Sequence, residues 1–284
     1  MNKILILGSG GFFAAKLIKR IRLSNFKVFL DKKYKKKLKK KNFETLEKII
    51  KKTNPDTVVN LAALTNVNEC QKKKKLARTS NCSLVRNLVK AIKRRKKKIH
   101  LIHFSTDQVY NGKGNHNEIK TGPKNYYGLS KLNGEKFAMK TNSTILRVNF
   151  IGSSSIKNKI TLSDWIVSNV KKKIKIKTFK NIFFSPLHTS TLATLIIKII
   201  KMKKNGIFNI GSKTKISKAI FAELLCKILR LDNKYLIKTN YSKEISPVLR
   251  PFDMSLNVGK FEKTFKIKLP KVTTEIKKLS KEYR

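Results

Sequence analysis

The first thirty residues show apolar and polar positions in an order that predicts a strand, a glycine turn and a helix. The segment Asn2–Leu7 is largely apolar and stops at Gly8, and from 12 to 21 apolar residues recur at helical spacing. The alternation continues, with strands predicted at 27–30, 57–60, 99–104, 143–148, 174–178 and 206–210, and helices at 43–52, 80–94, 126–140, 162–170, 190–201 and 217–229. Strands that alternate with helices predict an α/β fold with a parallel sheet.

The turn after the first predicted strand carries the small residues of a dinucleotide-binding loop. It reads GSGGFFA, with Gly8, Gly11 and Ala14 at G-x-x-G-x-x-A spacing. Gly8 permits a tight turn, Gly11 lets backbone amides approach a pyrophosphate, and Ala14 lets the helix pack closely on its strand. Asp31 closes the second predicted strand, where a carboxylate can bind the adenosine ribose. The context of strand, turn and helix therefore predicts a Rossmann-type nucleotide site.

The choice between NADH and NADPH stays open in the sequence. Asp31 favours NADH, because a carboxylate binds ribose hydroxyls, whereas Lys32 and Lys33 can meet the 2′-phosphate of NADPH. Lys and Arg together number 67 in this chain, so two adjacent lysines carry little weight. Use of both cofactors is therefore a further alternative.

The pattern becomes less regular after Gly152, which predicts a domain boundary there. Residues 1–152 are expected to form a Rossmann-type doubly wound parallel sheet, and residues 153–284 mainly a smaller mixed α/β substrate-binding domain. The predicted helix at 190–201 and strand at 206–210 can return to the first sheet. The second domain is therefore expected to be discontinuous, with parts of 171–210 packing on that sheet.

The composition adds a large positive charge without identifying a partner for it. Lys and Arg number 67 against 16 Asp and Glu, which gives a net charge of +51. The basic residues form short runs beside periodic apolar segments, at 32–41, 72–75, 93–98 and 171–177. Aromatic residues do not alternate with them as a nucleic-acid stacking platform requires. We therefore expect solvated surface, and no binding to nucleic acid or membrane.

The cysteines and histidines indicate neither a disulfide framework nor a zinc centre. Cys70, Cys82 and Cys226 show no CxxC spacing, and the 4 histidines form no HExxH motif. No carboxylate cluster is visible for Mg²⁺, so a metal requirement stays open. The amino-terminal apolar run ends in glycines rather than at a cleavage site, and no later apolar segment has the length of a membrane span. These features predict a cytoplasmic location.

A tyrosine and a lysine one helical turn apart follow the fourth predicted strand. Tyr127 and Lys131 share one helical face at i and i+4. In a chain so rich in lysine the YxxxK pattern alone has little value, but its position after a strand ending near Thr106 and a long loop gives it weight. A nearby ammonium favours a phenolate, and Thr106 can bond to the same oxygen. The three residues therefore predict an acid-base site.

Several ordered motifs together resemble the extended short-chain dehydrogenase/reductase family. Beyond the glycine turn and the YxxxK helix they are VVNLAALTNVNEC (58–70), ILRVNFIG (145–152), FFSPLHTSTLA (183–193), GIFNIGS (206–212) and RPFDMSLNVGKF (250–261). The resemblance covers almost the whole chain and is closest to reductases of nucleotide-linked 4-keto-6-deoxy sugars. It implies an oxidoreductase that uses NADH or NADPH to reduce the C4 keto group of such a sugar, for surface polysaccharide synthesis.

The resemblance also implies a role for each residue at a matching position. Tyr127 would protonate the keto oxygen, Lys131 would hold the nicotinamide ribose and lower the tyrosine pKa, and Thr106 would polarise the carbonyl. The implied cofactor contacts are Gly8, Gly11, Phe12, Phe13, Asp31, Ala62, Ala63, Thr65, Tyr127 and Lys131. The implied substrate contacts are Thr106, Asp107, Phe150 and Arg250, with Arg250 at the diphosphate. A nucleotide sugar is the expected partner, and a homodimer is left open.

Some positions depart from the family pattern. Residues 39–41 are lysines where an acidic residue often precedes the next helix, and Phe150 stands where tryptophan is common, which keeps an aromatic wall but loses the indole donor. The sole tryptophan, Trp165, lies on a predicted amphipathic helix and is expected to be in the core.

One residue bears on the rival activities that share this fold. Dehydratases of the family typically follow the Thr-Asp pair with a glutamate that performs the elimination chemistry. Here Gln108 follows, and its amide cannot act as a general acid or base. The sequence therefore favours a reductase, with an epimerase or dehydratase as alternatives. A non-catalytic nucleotide-sugar-binding subunit is a further alternative, against which the complete set of Thr106, Tyr127 and Lys131 argues.

Overall fold

A six-stranded parallel sheet lies at the centre of the computed structural model, which describes residues 1–31, 42–156, 159–242 and 248–284. Its spatial order is β10-β5-β4-β3-β1-β2, and every pairing within it is parallel. The strands are β1 (Asn2–Leu7), β2 (Phe26–Leu30), β3 (Thr57–Asn60), β4 (His100–Thr106), β5 (Ser143–Val148), β6 (Phe150–Ile151), β7 (Ile176–Phe179), β8 (Phe183–Phe184), β9 (Leu187–His188), β10 (Gly206–Ile210), β11 (Ile216–Ser217), β12 (Leu236–Thr239) and β13 (Asp253–Met254).

Helices cover both faces of this sheet. They are α1 (Phe12–Arg22), α2 (Phe43–Thr53), α3 (Val67–Lys72), α4 (Lys74–Arg78), α5 (Leu84–Lys93), α6 (Tyr126–Ala138), α7 (Leu162–Lys171), α8 (Thr189–Met202), α9 (Lys218–Ile228), α10 (Gly259–Phe265) and α11 (Val272–Ser280). Apolar residues of α1 and α8 pack on one face, and those of α2 and α5 on the other. Strands β3, β4 and β5 are buried along their whole length because both faces are covered. The predicted doubly wound parallel sheet is confirmed.

Local signals account for the elements that the sequence predicted and for those that it missed. Asn42 caps α2, and its side chain accepts a hydrogen bond from the Thr45 amide at 3.2 Å. Helices α3 and α4 were not predicted, because they are short, rich in lysine and without a sustained apolar period. The prediction for Trp165 was wrong: this residue is 38% exposed. The buried face of α7 is formed by Ile166, Val167 and Val170 instead.

The chain after Gly152 builds smaller sheets around an apolar cluster of its own. Strands β11, β8 and β13 form one sheet, β12 pairs with β7, and β6 pairs with β9. Their cluster includes Phe184, Phe221 and Ile276, all fully buried. The boundary near residue 152 stays a prediction. The pairing of β10 with β5 and the packing of α8 on the large sheet support the discontinuous second domain that we infer.

Helix α6 approaches its neighbour closely at Gly134. A Cβ built on Gly134 would lie 2.3 Å from the carbonyl oxygen of Asn81, in the π-helical turn Thr79–Ser83. The fully buried Asn81 accepts a hydrogen bond from the Leu64 amide at 2.8 Å and donates one to Ser130 Oγ at 2.9 Å. Gly134 therefore allows one asparagine to connect α6 with the segment that follows β3.

We expect Gly134→Ala to destabilise the protein, although alanine is ordinarily the better helix former. The added methyl group meets the Asn81 carbonyl, and such overpacking costs about 1–3 kcal/mol in free energy of unfolding. Urea denaturation measures the loss. Gly122→Ala is the control, because a Cβ at Gly122 would meet only Asn111 Cβ, at 3.8 Å. A Gly134→Ala protein as stable as wild type would contradict the close approach.

Candidate active site

The residues predicted for the site come together at the carboxyl edge of the large sheet. Gly8 follows β1, Ala62 lies just after β3, and Thr106 ends β4. Strand β1 lies between β3 and β2, so the chain leaves it in one direction and later returns on its other side. Open α/β sheets bind ligands at this edge, where the strand order reverses.

The glycine turn fits the diphosphate of a dinucleotide. Gly8 has a φ of 80°, and a Cβ there would lie 2.5 Å from the Ala62 amide nitrogen, so a side chain is excluded by both conformation and space. The Gly11 amide donates to the Gly8 carbonyl at 3.1 Å, and α1 begins at Phe12. The unpaired amides of a helix amino terminus attract negative charge. The turn therefore presents close backbone and a positive dipole end.

Asp31 shapes this turn directly, a role that the sequence did not indicate. Its carboxylate accepts hydrogen bonds from the Gly8 amide at 2.7 Å and the Ser9 amide at 3.0 Å, and also from the Ser9 hydroxyl. The predicted contact with the adenosine ribose stays a prediction. Lys32, Lys33 and the lysines at 39–41, which bear on the cofactor, lie outside the described residues.

Aromatic side chains connect the predicted cofactor turn with the predicted substrate wall. The ring of Phe150 lies 5.5 Å from that of Phe12 and 5.2 Å from that of Phe13, centre to centre. Phe13 is only 4% exposed and also packs on Phe104 at 5.4 Å. The Phe13 side chain is thus part of the core, and only its backbone can face a cofactor. Phe12 and Phe150 are half-buried and line the edge.

The segment after β3 is held in place by its own short contacts. The Ala62 amide donates to Asn60 Oδ1 at 3.1 Å, and Asn81 bonds both the amide and the carbonyl of Leu64. Ala62 and Ala63 are half-buried, and Thr65 is exposed. Small side chains here leave room beside the glycine turn, where we expect the nicotinamide.

Tyr127 and Thr106 lie together at the end of β4. The Tyr127 side chain is 8% exposed, and its phenol lies near enough to the Thr106 hydroxyl for that group to favour the ionised phenol. Burial raises the pKa of Tyr127 above its ordinary value, and the nearby Thr106 hydroxyl opposes this only in part. The sequence predicted a lowered tyrosine pKa, and that prediction was wrong. The phenol therefore carries its proton at neutral pH.

Lys131 lies one turn further along α6, against the same strand. Its ammonium donates to the Phe104 carbonyl at 2.5 Å, and the residue is 3% exposed. Burial lowers the pKa of Lys131 to about 8, while the Glu135 carboxylate raises it. Lys131 is therefore largely charged at neutral pH and loses its proton just above it.

Asp107 is buried beside Thr106, and its carboxylate already accepts hydrogen bonds from two side chains. Its carboxylate accepts from Asn149 Nδ2 at 2.5 Å and from Thr106 Oγ1 at 3.1 Å, and the residue is 2% exposed. Burial raises the pKa of Asp107.

Arg250 is half-buried in the segment before β13. It lies close enough to Lys218 to lower the pKa of that lysine.

Gln108, used above to separate reductase from dehydratase, also has a structural role. Its side-chain oxygen accepts a hydrogen bond from Asn125 Nδ2 at 2.9 Å. Asn125 caps α6, accepting from the Gly128 amide at 2.9 Å, and also donates to the Leu249 carbonyl at 3.1 Å. One asparagine thus links the loop after β4, the start of α6 and the segment that carries Arg250.

A buried ion pair that the sequence did not reveal fixes α6 to the sheet. Arg147 on β5 contacts Glu135 on α6 at 2.7 Å, and the two side chains are 3% and 1% exposed. Ser105 donates a further hydrogen bond to Glu135. Arg147 also donates to the Tyr110 hydroxyl at 2.8 Å, and that hydroxyl donates to Asn209 on β10 at 2.6 Å. The network joins α6 to β4, β5 and β10.

Two searches of the described residues bear on metals and membranes. In the described ranges, no group of three or more His, Cys, Asp or Glu is placed to hold a metal ion. None of the helices in that part of the chain has the length and apolar character to cross a membrane. Cys70, Cys82 and Cys226 are free thiols.

A Rossmann-type sheet with a glycine turn and a Thr, Tyr and Lys set at its carboxyl edge defines the class of extended short-chain dehydrogenases/reductases. Within that class, the chain belongs to the RmlD substrate binding domain family, whose profile matches residues 1–284. This match confirms the family resemblance found in the sequence.

Individual relatives agree with the family. The probable low-salt glycan biosynthesis reductase of Haloferax volcanii is 25% identical over 77% of this chain and 75% of its own length. The dTDP-4-dehydrorhamnose reductase of Sinorhizobium fredii is 28% identical over 80% of each chain. The crystal structure of dTDP-4-dehydrorhamnose reductase from Bacillus anthracis in complex with NADP superposes with a TM-score of 0.87, at 20% identity over 99% of this chain and 100% of that one. The superposition shows the same fold.

We expect Glu135→Ala to lower the free energy of unfolding by about 3–5 kcal/mol, because Arg147 is left as a buried, unpaired charge. Urea denaturation followed by circular dichroism measures the change. Glu47→Ala is the matched control: Glu47 pairs with Arg94 at 3.2 Å on the surface, so its loss costs less than about 1 kcal/mol. Equal losses of unfolding free energy in the two variants would show that the buried ion pair stabilises the protein no more than the exposed one does.

Proposed function

We propose that the protein is an NAD(P)H-dependent reductase of a nucleotide-linked 4-dehydro-6-deoxy sugar, of the type that converts dTDP-4-dehydrorhamnose to dTDP-rhamnose. The observation that carries the proposal is the grouping of Thr106, Tyr127 and Lys131 beside the glycine turn at one edge of the sheet. The reductase names of the relatives from Haloferax volcanii and Sinorhizobium fredii support it, as does the NADP in the Bacillus anthracis structure.

The chain's own residues can hold a nicotinamide dinucleotide. The turn at Gly8 and Gly11, with the amino terminus of α1, would take the diphosphate, and Lys131 would bond the nicotinamide ribose. The small residues after β3 leave space for the ring. When bound, the reduced nicotinamide supplies the hydride that the sugar's C4 carbon accepts.

Residues of the protein would then supply the proton to the keto oxygen. As negative charge develops on the keto oxygen, Tyr127 donates its phenolic proton to that oxygen, and the C4 ketone becomes an alcohol. The raised pKa of Tyr127 suits this direction of reaction, since a donor must hold its proton beforehand. The Thr106 hydroxyl would turn from Asp107 to donate to the same oxygen. The Lys131 ammonium would stabilise the phenolate until a solvent proton replaces the one donated.

The dehydratase alternative on this fold needs chemistry that Gln108 does not supply. A dehydratase requires an acid or base next to the Thr-Asp pair, and the Gln108 amide can be neither. The Gln108 side chain is hydrogen-bonded to Asn125, a contact that positions the loop.

Free thiols at Cys70, Cys82 and Cys226 support a reducing compartment. The cytoplasmic location and the homodimer stay predictions.

The direct test incubates the purified protein with NADH or NADPH and a panel of nucleotide-linked 4-keto sugars. Loss of nicotinamide absorbance, with the reduced sugar identified by mass spectrometry, supports the proposal. Consumption of either cofactor also decides the choice that Asp31 leaves open. A panel in which every sugar is returned unreduced, or dehydrated, would overturn it.

Tyr127→Phe should lower kcat by about 10²–10⁴-fold, because the proton donor is removed. The NADPH dissociation constant, measured by fluorescence, should change little. Tyr126→Phe serves as the control, since Tyr126 is the adjacent half-buried residue on the same helix and lies 5.9 Å from the Lys74 ammonium, away from Thr106. Unchanged turnover in Tyr127→Phe would refute the assignment of the proton donor.

NADPH should bind more weakly as the pH rises above about 8, the pKa of Lys131. Below that pH the ammonium is present and bonds the ribose; above it the neutral amine does so less well, by up to tenfold per pH unit. Fluorescence titration from pH 6.5 to 9.5 measures the effect. Lys131→Met should bind NADPH weakly, and its affinity should not change near pH 8. A wild-type affinity for NADPH that stays constant across this pH range would contradict the proposed role of Lys131.

A further inference from the structure

Lys218 is a half-buried lysine at the site to which no motif assigned a role. It is the first residue of α9, directly after β11, and its amide donates to the Ile182 carbonyl at 2.8 Å. Its ammonium lies 3.1 Å from the centre of the Phe184 ring. Among the described residues, no hydrogen-bond acceptor meets this ammonium. A cation held on an aromatic face still has N–H donors that point away from the ring towards a further partner.

Two charged residues from other elements act electrostatically on Lys218. Asp107 at the end of β4 attracts its ammonium, and Arg250 before β13 repels it. The Asp107 carboxylate is already bonded by Asn149 and Thr106, so it balances the charge without a direct ion pair. Two cations against one carboxylate leave this part of the site positive, which favours an anionic ligand.

The small sheet explains how the two cations come together. Phe184 lies on β8, which pairs with β11 on one side and with β13 on the other. Lys218 follows β11 and Arg250 precedes β13, so the cations flank the central strand of the sheet. Asp107 is bonded to Thr106 and so lies at the reacting end of the site.

We propose that Lys218 is a substrate-binding residue which, together with Arg250, holds the diphosphate of the nucleotide-linked sugar. The inference rests on the proposed function, which supplies a diphosphate beside the sugar. Ammonium and guanidinium groups form short, charge-assisted hydrogen bonds to phosphate oxygens. Asp107 then faces the sugar, and Thr106 and Tyr127 face its keto oxygen.

Binding of the diphosphate should increase the protonated fraction of Lys218. Burial lowers the pKa of this lysine to about 7, Asp107 raises it and Arg250 lowers it further. A bound diphosphate adds negative charge beside the ammonium and raises that pKa again. The lysine is fully charged well below pH 7 in either state, so affinity is highest there. It falls as the pH rises from about 7 to the raised pKa of the complex.

Isothermal titration with dTDP-glucose tests the assignment without turnover. This probe has no keto group, and both of its phosphates are esterified, so it does not itself titrate near neutral pH. Lys218→Met should weaken its binding about 10–100-fold, the usual range for hydrogen bonds to charged groups. Lys213→Met, an exposed lysine before β11, removes the same charge from the same segment and should bind like wild type.

The proton gives a second readout that a purely structural role would not move. At pH 8, titrations in two buffers of different ionisation enthalpy should show uptake of about one proton per site for wild type and none for Lys218→Met. Lys218→Arg should restore affinity but take up no proton, because a guanidinium is always charged.

The outcomes separate this inference from the proposed function. Wild-type affinity for dTDP-glucose in Lys218→Met, an equal loss of NADPH affinity in that variant, or no binding of dTDP-glucose to the wild type would each overturn the role of Lys218. If instead the wild type binds the probe as expected and Lys218→Met does not, yet no keto sugar is reduced, the diphosphate site stands and the reductase assignment fails.

Discussion

The buried ion pair between Glu135 and Arg147 is the interaction on which the geometry of the site depends. Neither charge could remain in the interior alone, so the pair holds α6 at a fixed distance from β5. Lys131, one turn earlier on α6, bonds the Phe104 carbonyl of β4. These two attachments set the rotation and height of the helix. Tyr127, a further turn earlier, then reaches Thr106 as a consequence of both.

Burial shifts the pKa values of the titratable groups at this edge of the sheet in opposite directions, for a single physical reason. It disfavours charge, so it raises the pKa of Tyr127 and lowers those of Lys131 and Lys218. The tyrosine thereby keeps a proton to donate, while the two lysines become cations that depend on a neighbouring anion. An anionic ligand bound beside these lysines would complete the site electrostatically and raise the lysine pKa values towards their usual range.

The periodic parts of the fold could be predicted from the sequence, and the contacts between distant residues could not. Strands such as Asn2–Leu7 and Ser143–Val148 were predicted to the residue because a buried parallel strand is a short apolar run. Tyr127, Lys131 and Thr106 could be named from their order along the chain. Asn81 could not, because a π-helical turn has no periodic signature, and the bond of Asp31 to Gly8 spans a fold that spacing alone does not specify.

The lysines of this chain show why composition was a poor guide to function. A net charge of +51 suggests an anionic partner, yet most of the lysines that the structure describes lie exposed, where water solvates them at little cost. Lys131 and Lys218 differ because the fold removes their charges from water, one against a carbonyl and the other on an aromatic ring. Burying an ammonium is unfavourable unless a partner compensates it. Burial therefore sets these two lysines apart from the exposed ones. Lys131 could also be found from its place in the YxxxK helix, whereas Lys218 could be found only in the folded structure.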